Sequence, residues 1–228
     1  KGTSSLITTV AAQKVYGSIG RSISHPEGKW SQQFCRFDIE GEGDVEWLPQ
    51  ELVLFKDGLF KQTTCVNLQP RASFLSAEVV RLGRTSAGEK LGSGCWRSSL
   101  EICRHLPEGR HWEFIDHLEL SGKSLVSTHG MSNNPVFGSL IWAAPDHLPA
   151  SKIDPLIKDC LSSRKGLKGV MNCGALEKGL SARYLGESSK DARFWFFRIW
   201  AHIRQLRGLN PPQYLRVWPM QESPHMNT

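Results

Sequence analysis

From Leu6 to about Trp142 the apolar and polar positions repeat with a period of two. Phe60, Gln62, Thr64, Val66 and Leu68 keep that period, as do Trp96, Ser98, Leu100 and Ile102. Successive strand residues point to opposite faces, so these runs predict half-buried β-strands. Trp112, Phe114, Leu118 and Leu120 share one strand face, with Asp116 the odd member. Turn signals separate the runs at Gly41-Glu42-Gly43-Asp44, Lys56-Asp57-Gly58, Pro107-Glu108-Gly109 and Ser121-Gly122-Lys123. Short strands joined by tight turns imply antiparallel sheets that stack or coil on each other.

The last third changes period. Ser151 to Ser163 predicts a short helix, with Ile153, Leu156, Ile157, Cys160 and Leu161 on one stripe and Asp154-Pro155 in the first turn. Residues 166–185 return to strand-like pieces punctuated by glycines. Ser188 to Arg207 is the strongest helix in the chain: Ser188 and Asp191 match a capping pattern and Gly208 suits its C-terminal end. Its apolar stripe is Ala192, Phe196, Ile199, Ile203 and Leu206, while Arg193, Arg204 and Arg207 supply a basic outer face. Trp195 and Trp200 lie off the stripe, and aromatics beside arginine are favoured at interface hot spots. Arg193, Trp195, Trp200 and Arg204 are therefore the candidate partner-binding residues. The segment from Asn210 to Pro219 is expected to be extended, and the residues after Met220 disordered.

With 228 residues, 39% of them hydrophobic, the chain can bury a substantial core. No stretch approaches the ~20 apolar residues of a membrane-spanning helix, so no membrane partner is expected. The first residues, Lys1 to Ser5, lead straight into a strand-like segment without a signal-peptide pattern. Six cysteines are too sparse for a disulfide scaffold and no Asn-x-Ser/Thr sequon occurs, which favours a cytoplasmic location. The net charge of +6 is uneven: residues 151–216 hold 13 Lys/Arg against 5 Asp/Glu. No nucleic-acid motif accompanies that basic third, and docking on acidic protein partners accounts for it equally well.

The search for catalytic chemistry is mostly negative. Gly83-Arg84-Thr85-Ser86-Ala87-Gly88 has phosphate-loop spacing, but Glu89 stands where the lysine belongs and would repel phosphate. Gly-x-Ser-x-Gly, Cys-x-x-Cys and His-Glu-x-x-His patterns are absent. His105, His111 and His117 recur every six residues, roughly 20 Å apart along an extended strand, and read as structural or surface groups. Asp38, Glu40, Glu42, Asp44 and Glu46 alternate along one stretch. Gly41 and Gly43 suit a solvated hairpin tip there. An acidic mouth for a divalent cation is the alternative, since nickel accepts carboxylate ligands.

Several blocks, in order, resemble the urease accessory proteins of the D (or H) type. They are Thr8-Thr9-Val10-Ala11-Ala12-Gln13-Lys14-Val15-Tyr16, then Val45-Glu46-Trp47-Leu48-Pro49-Gln50-Glu51-Leu52-Val53-Leu54-Phe55, the most specific, and Gly83 to Glu89. Pro135-Val136-Phe137-Gly138-Ser139-Leu140, Ala182-Arg183-Tyr184-Leu185-Gly186 and Leu215-Arg216-Val217-Trp218-Pro219 complete the set. The family usually begins with several more strands and a Gly-Gly-Asp element before the Thr-Thr block. Residues 1–220 are accordingly expected to form one D-type domain, N-terminally incomplete, followed by a disordered tail over 221–228.

The resemblance implies a mainly β fold, a coiled, β-helix-like stack of antiparallel sheets with two α-helices in the C-terminal third. It also implies a non-catalytic maturation factor that joins an F-type accessory protein and a G-type GTPase on apo-urease. No cofactor is expected to bind tightly; nickel is cargo in transit, by some accounts through an internal tunnel. A conduit must hold its ion weakly at several points, because a tight closed site would trap it. Within the matched blocks the candidate nickel-conduit groups are Glu46, Glu51 and Glu89, with Thr9, Gln13 and Gln50 as polar neighbours. The competing reading gives these residues the task of satisfying buried backbone groups. A metal-dependent hydrolase on a β scaffold is the runner-up function, and a basic nucleic-acid-binding module the third.

Overall fold

A computed structural model describes residues 2–214 and 223–224. The family-like ending at 215–219 and the tail beyond Met220, apart from Ser223 and Pro224, lie outside the described residues. In chain order the elements are β1 (Ser4–Ile7), β2 (Gln13–Val15), β3 (Ser31–Ile39), β4 (Asp44–Trp47), β5 (Leu52–Leu54), β6 (Leu59–Leu68) and β7 (Ser73–Leu82). They continue with β8 (Cys95–Leu106), β9 (Gly109–Ser121), α1 (Gly122–Val126), β10 (Val136–Ala143), α2 (Ala150–Ser162), β11 (Val170–Leu176), β12 (Gly179–Gly186) and α3 (Ser189–Leu206).

The chain is mainly β and builds two sheets, with α2 and α3 in the C-terminal third and the short α1 before them. The larger sheet runs β1-β4-β7-β10-β12-β11, with β5 beside β7 and β2 beside β5; the smaller runs β3-β6-β8-β9. Pairing is mixed rather than antiparallel throughout. Among the described residues β1–β4, β4–β7, β2–β5, β5–β7, β3–β6 and β6–β8 are parallel. β7–β10, β10–β12, β11–β12 and β8–β9 are antiparallel.

The reason lies in the turns. Of the four turn signals, only Pro107–Gly109 closes a hairpin, between β8 and β9. Gly41–Gly43 and Lys56–Gly58 are corners at which the chain leaves one sheet for the other. From β3 to β8 it passes back and forth between the sheets, with β4 and β5 together on one pass, and each return lays a strand parallel to those already there. This is a coil of β-strands, and turn chemistry alone does not distinguish its corners from hairpins.

Alternation was a sound guide to burial: Phe60, Gln62, Thr64, Val66 and Leu68 are all buried on the inner face of β6. It failed at one point. A bulge opposite Ile102/Cys103 pairs Ile102 with Phe114 but Cys103 with Trp112. The extra residue, Glu113, turns inward and Trp112 turns out, 47% exposed, so Trp112 leaves the face of Phe114, Leu118 and Leu120.

The outer face of the larger sheet carries α3 and α2. Gly138 lets α3 come close, for a Cβ there would sit 2.8 Å from the Phe196 ring. Ser188 caps α3 by accepting from the Asp191 N–H, and Gly208, at φ +67°, closes its far end in a conformation that costs most side chains energy.

Candidate functional site

Two polar constructions lie in the interior. The first sits under α3, where the two N-terminal family-like blocks meet. β1 and β2 run beside β4 and β5, and the gaps between them are laced together. Thr8 Oγ1 donates to Leu48 O, Leu48 N to Ile7 O, Gln50 N to Thr9 Oγ1 and Gln13 N to Glu51 O. Thr9 thus spends its hydroxyl on backbone, Gln50 is buried and Gln13 is exposed.

β4 turns Val45 and Trp47 toward the inter-sheet core and Asp44 and Glu46 toward α3. Asp44 and Glu46 are 7% and 1% exposed, while Asp38, Glu40 and Glu42 face solvent, so the acidic stretch is a solvated tip only in its first half. Both buried carboxylates, and the half-buried Glu51, meet an arginine on α3 or at its C-terminal cap. Arg207 Nη2 is 3.0 Å from Asp44, Arg204 Nη1 donates to Glu46 Oε2 at 2.6 Å, and Arg193 Nη2 is 3.7 Å from Glu51.

The spacing explains the match. Helix rise carries Arg193 to Arg204 over roughly 16 Å in about three turns, and five extended residues carry Glu46 to Glu51 over a similar distance. The basic outer face expected of this helix therefore points inward. Trp195 and Trp200, expected beside it on a docking surface, are 0% and 1% exposed. Trp195 Nε1 donates to Cys160 O, which ties α3 to α2. Arg198, also buried, holds the carbonyls of Ser163 and Lys165. The helix is enclosed on nearly every side, and a single-stripe reading does not anticipate that.

Glu89 stands apart from this ladder. It accepts from the Lys56 N–H and pairs with Arg84 across the Gly83–Glu89 loop. The Arg84 guanidinium, with the Lys56 amide, holds the Glu89 carboxyl well below the usual carboxylate range.

The second construction lies between the sheets. The apolar filling there is two clusters, not one: Phe60, Val80 and Trp96 belong to the first, Val66, Phe74 and Ile102 to the second. Six strands cross from one to the other through a polar step: Gln62 and Thr64 on β6, Ser76 and Glu78 on β7, Ser98 on β8, Asp116 on β9, Ser139 on β10 and Arg183 on β12. Register aligns these steps into a belt, with Glu78 opposite Ser139 and Ser139 opposite Arg183. Two cross-links span the gap. Gln62 Nε2 donates to Glu78 Oε1 at 2.6 Å, and Arg183 Nη2 to Asp116 Oδ2 at 2.6 Å.

Sequence reasoning passed over the belt, although Asp116 had already broken the apolar face of its strand. Polar residues at inward positions of several strands were the available signal; their common level requires the register.

Glu78 is half-buried on the inner face of β7. Desolvation pushes its carboxyl from 4.5 up to about 7, against the Gln62 hydrogen bond and the Arg183 charge. Between these two values the native state holds a proton that the unfolded state lacks. The stability this group contributes is full at low pH and is lost as pH rises through about 7, a change on the order of 1–3 kcal/mol. Glu78→Gln is expected to flatten the fall of the urea midpoint between about pH 5 and 8. Equal slopes in variant and parent would contradict the assignment.

Among the described residues no group of three or more His, Cys, Asp or Glu side chains could hold a metal ion, and no helix is long and apolar enough to cross a membrane. His117 pairs with Glu101 and His111 lies 3.4 Å from Glu177, on exposed surface. All six cysteines are free thiols.

The family described as "UreD urease accessory protein" matches residues 1–219 of the chain. The chain is 59% identical over 217 residues to a protein of Prochlorococcus marinus (strain MIT 9303) named urease accessory protein UreD, covering 95% of this chain and 73% of that one. It is 56% identical over 219 residues to the protein of that name from Synechococcus sp. (strain CC9311), covering 96% and 74%. For Parasynechococcus marenigrum (strain WH8102) the figures are 57% over 220 residues, 96% and 71%. With a family match across nearly its whole length and relatives this similar, the chain belongs to the UreD family of urease accessory proteins.

Proposed function

We propose that this chain is a non-catalytic factor of urease maturation. It works in the cytoplasm with F-type and G-type accessory proteins on apo-urease, and the inter-sheet belt is the stretch through which nickel passes. Family membership supports the role in urease maturation. One observation carries the passage: the filling between the sheets is split by a belt that holds two carboxylates, four hydroxyl-bearing side chains and an amide. Oxygen ligands accept nickel but hold it less well than imidazole does, and a carboxylate already bonded to a neighbour binds it more weakly still.

The candidate positions shift accordingly. Glu46 and Glu51 latch α3, Glu89 closes its loop, and Glu78 and Asp116 take over as conduit groups. The test is co-expression of urease with its accessory proteins and Glu78→Gln in place of the parent, reading nickel per urease active site. The variant is close in shape and can keep the Gln62 hydrogen bond, so its fold is expected to persist. Nickel content is expected to fall several-fold. Parental nickel content in a folded variant would remove Glu78 from the path, and the same result with Asp116→Asn would remove the belt.

A further inference from the structure

The belt contains a positive charge, which is unexpected in a passage for cations. Arg183 reaches from the larger sheet to Asp116 on the smaller one, and its guanidinium lies 5.4 Å from the centre of the Phe137 ring. Its Nη1 is buried and has no hydrogen-bond partner among the described residues. Glu78 is on the same face of the same sheet, one strand beyond Ser139, and interacts electrostatically with both Arg183 and Asp116. Arg183 and Asp116 are 34% and 21% exposed although they lie between sheets. The arrangement is thus two carboxylates sharing one guanidinium that has a spare donor and an aromatic face to lean on.

We propose that Arg183 is the gate of the belt: its guanidinium stands in for the dication between Asp116 and Glu78, and swings aside for each ion that passes. This rests on the belt being the nickel path. Without a resident cation, two carboxylates that interact within one belt would together hold a dication tightly, and a tight site stops transit. With Arg183 in place an arriving ion must displace a charge-assisted hydrogen bond, so its net binding is weak and reversible. The spare Nη1 donor allows the guanidinium to exchange Asp116 for Glu78 without losing all of its contacts, and the Phe137 face offers a resting position. On departure of the ion the original pair re-forms.

The test uses Ni2+ alone with the purified protein, by calorimetry and equilibrium dialysis, on Arg183→Gln and Arg183→Met. Arg183→Gln keeps a donor in place of the charge; Arg183→Met removes both. Removing a unit charge this close to a dication is expected to tighten Ni2+ binding at least roughly tenfold. Adding Glu78→Gln to either variant is expected to abolish that gain, whereas Arg183→Lys stays close to the parent. In the co-expression assay the Arg183→Gln protein is expected to deliver less nickel despite binding more.

Binding no tighter than the parent in a folded Arg183→Gln or Arg183→Met protein overturns the gate. If one of the pair does not fold, the other decides. The two readings fail differently. Loss of maturation with Glu78→Gln, without tightening in the Arg183 variants, sinks the gate and leaves the path. Tightening that Glu78→Gln abolishes, with maturation unaffected by either carboxylate, sinks the path but confirms Arg183 as the charge that weakens this site.

Discussion

Arg104→Met is expected to remove most of the folding stability of this protein. Arg104 is 0% exposed and lies on β8 at the end of the inter-sheet core. Its Nη1 donates to the carbonyls of Gln69, Pro70 and Ala72, closing the turn between β6 and β7, and its Nη2 to that of Ala144, just past β10. Nε and Nη2 grip Glu113, whose side chain is 8% exposed, in a two-pronged pair. Methionine fills much of the volume and supplies none of these donors. Leaving a buried carboxylate without its partner costs about 3–5 kcal/mol, and each stranded carbonyl adds about 1–3. Against a total on the order of 5–15 kcal/mol, that is enough to unfold a large fraction of the molecules. The check is the urea midpoint, with Arg104→Lys alongside: lysine keeps the charge but not the planar fork, and is expected to fall between the two. A midpoint for Arg104→Met within error of the parent would show that the carbonyls and Glu113 find other partners.

Arg104 also marks where sequence and structure part. The inward face of β8 reads as Trp96, Ser98, Leu100 and Ile102, and that alternation located the strand and its burial correctly. The next inward residue is an arginine, and only the folded molecule shows the carbonyls of two distant segments, the 69–72 turn and Ala144, converging on it. The bulge that turns Glu113 inward to meet it is set by the pairing of two strands, which period-two counting along one strand does not contain. Local signals did well where the physics is local. The helices begin and end within a residue or so of their caps, and the buried stripe of α2 includes Ile153, Leu156 and Cys160 as read.

Signals that depend on distant chain segments did less well. The basic C-terminal third looked like a surface waiting for an acidic partner. Three of its arginines find their acidic partners within the chain itself, Arg204 at a separation of 158 residues from Glu46. The acidic stretch and the basic helix were each visible alone; that they neutralise each other is a property of the coil that stacks β4 under α3.

Glu46 provides the second large effect, and a decision between latch and conduit. Its Oε2 accepts from Arg204, but Oε1 is buried with no hydrogen-bond partner among the described residues, so a cation could find an acceptor there. Arg204 is held further by the Asn210 carbonyl and lies 5.6 Å from the Trp200 ring centre, which makes it the central rung between α3 and the β4–β5 segment. Glu46→Gln leaves a mostly buried guanidinium without its countercharge and is expected to cost about 3 kcal/mol, read as a lower urea midpoint. Glu46→Gln combined with Arg204→Met removes both charges and fills the space with apolar volume, so more than half of that loss is expected to return, a coupling of about 1–3 kcal/mol. The same pair of proteins separates the roles. A latch works again once the helix is held down, so the double variant is expected to support nickel delivery to urease near the parental level. A conduit group is missing from both proteins, and stability regained without nickel delivery would put Glu46 back on the path of the ion.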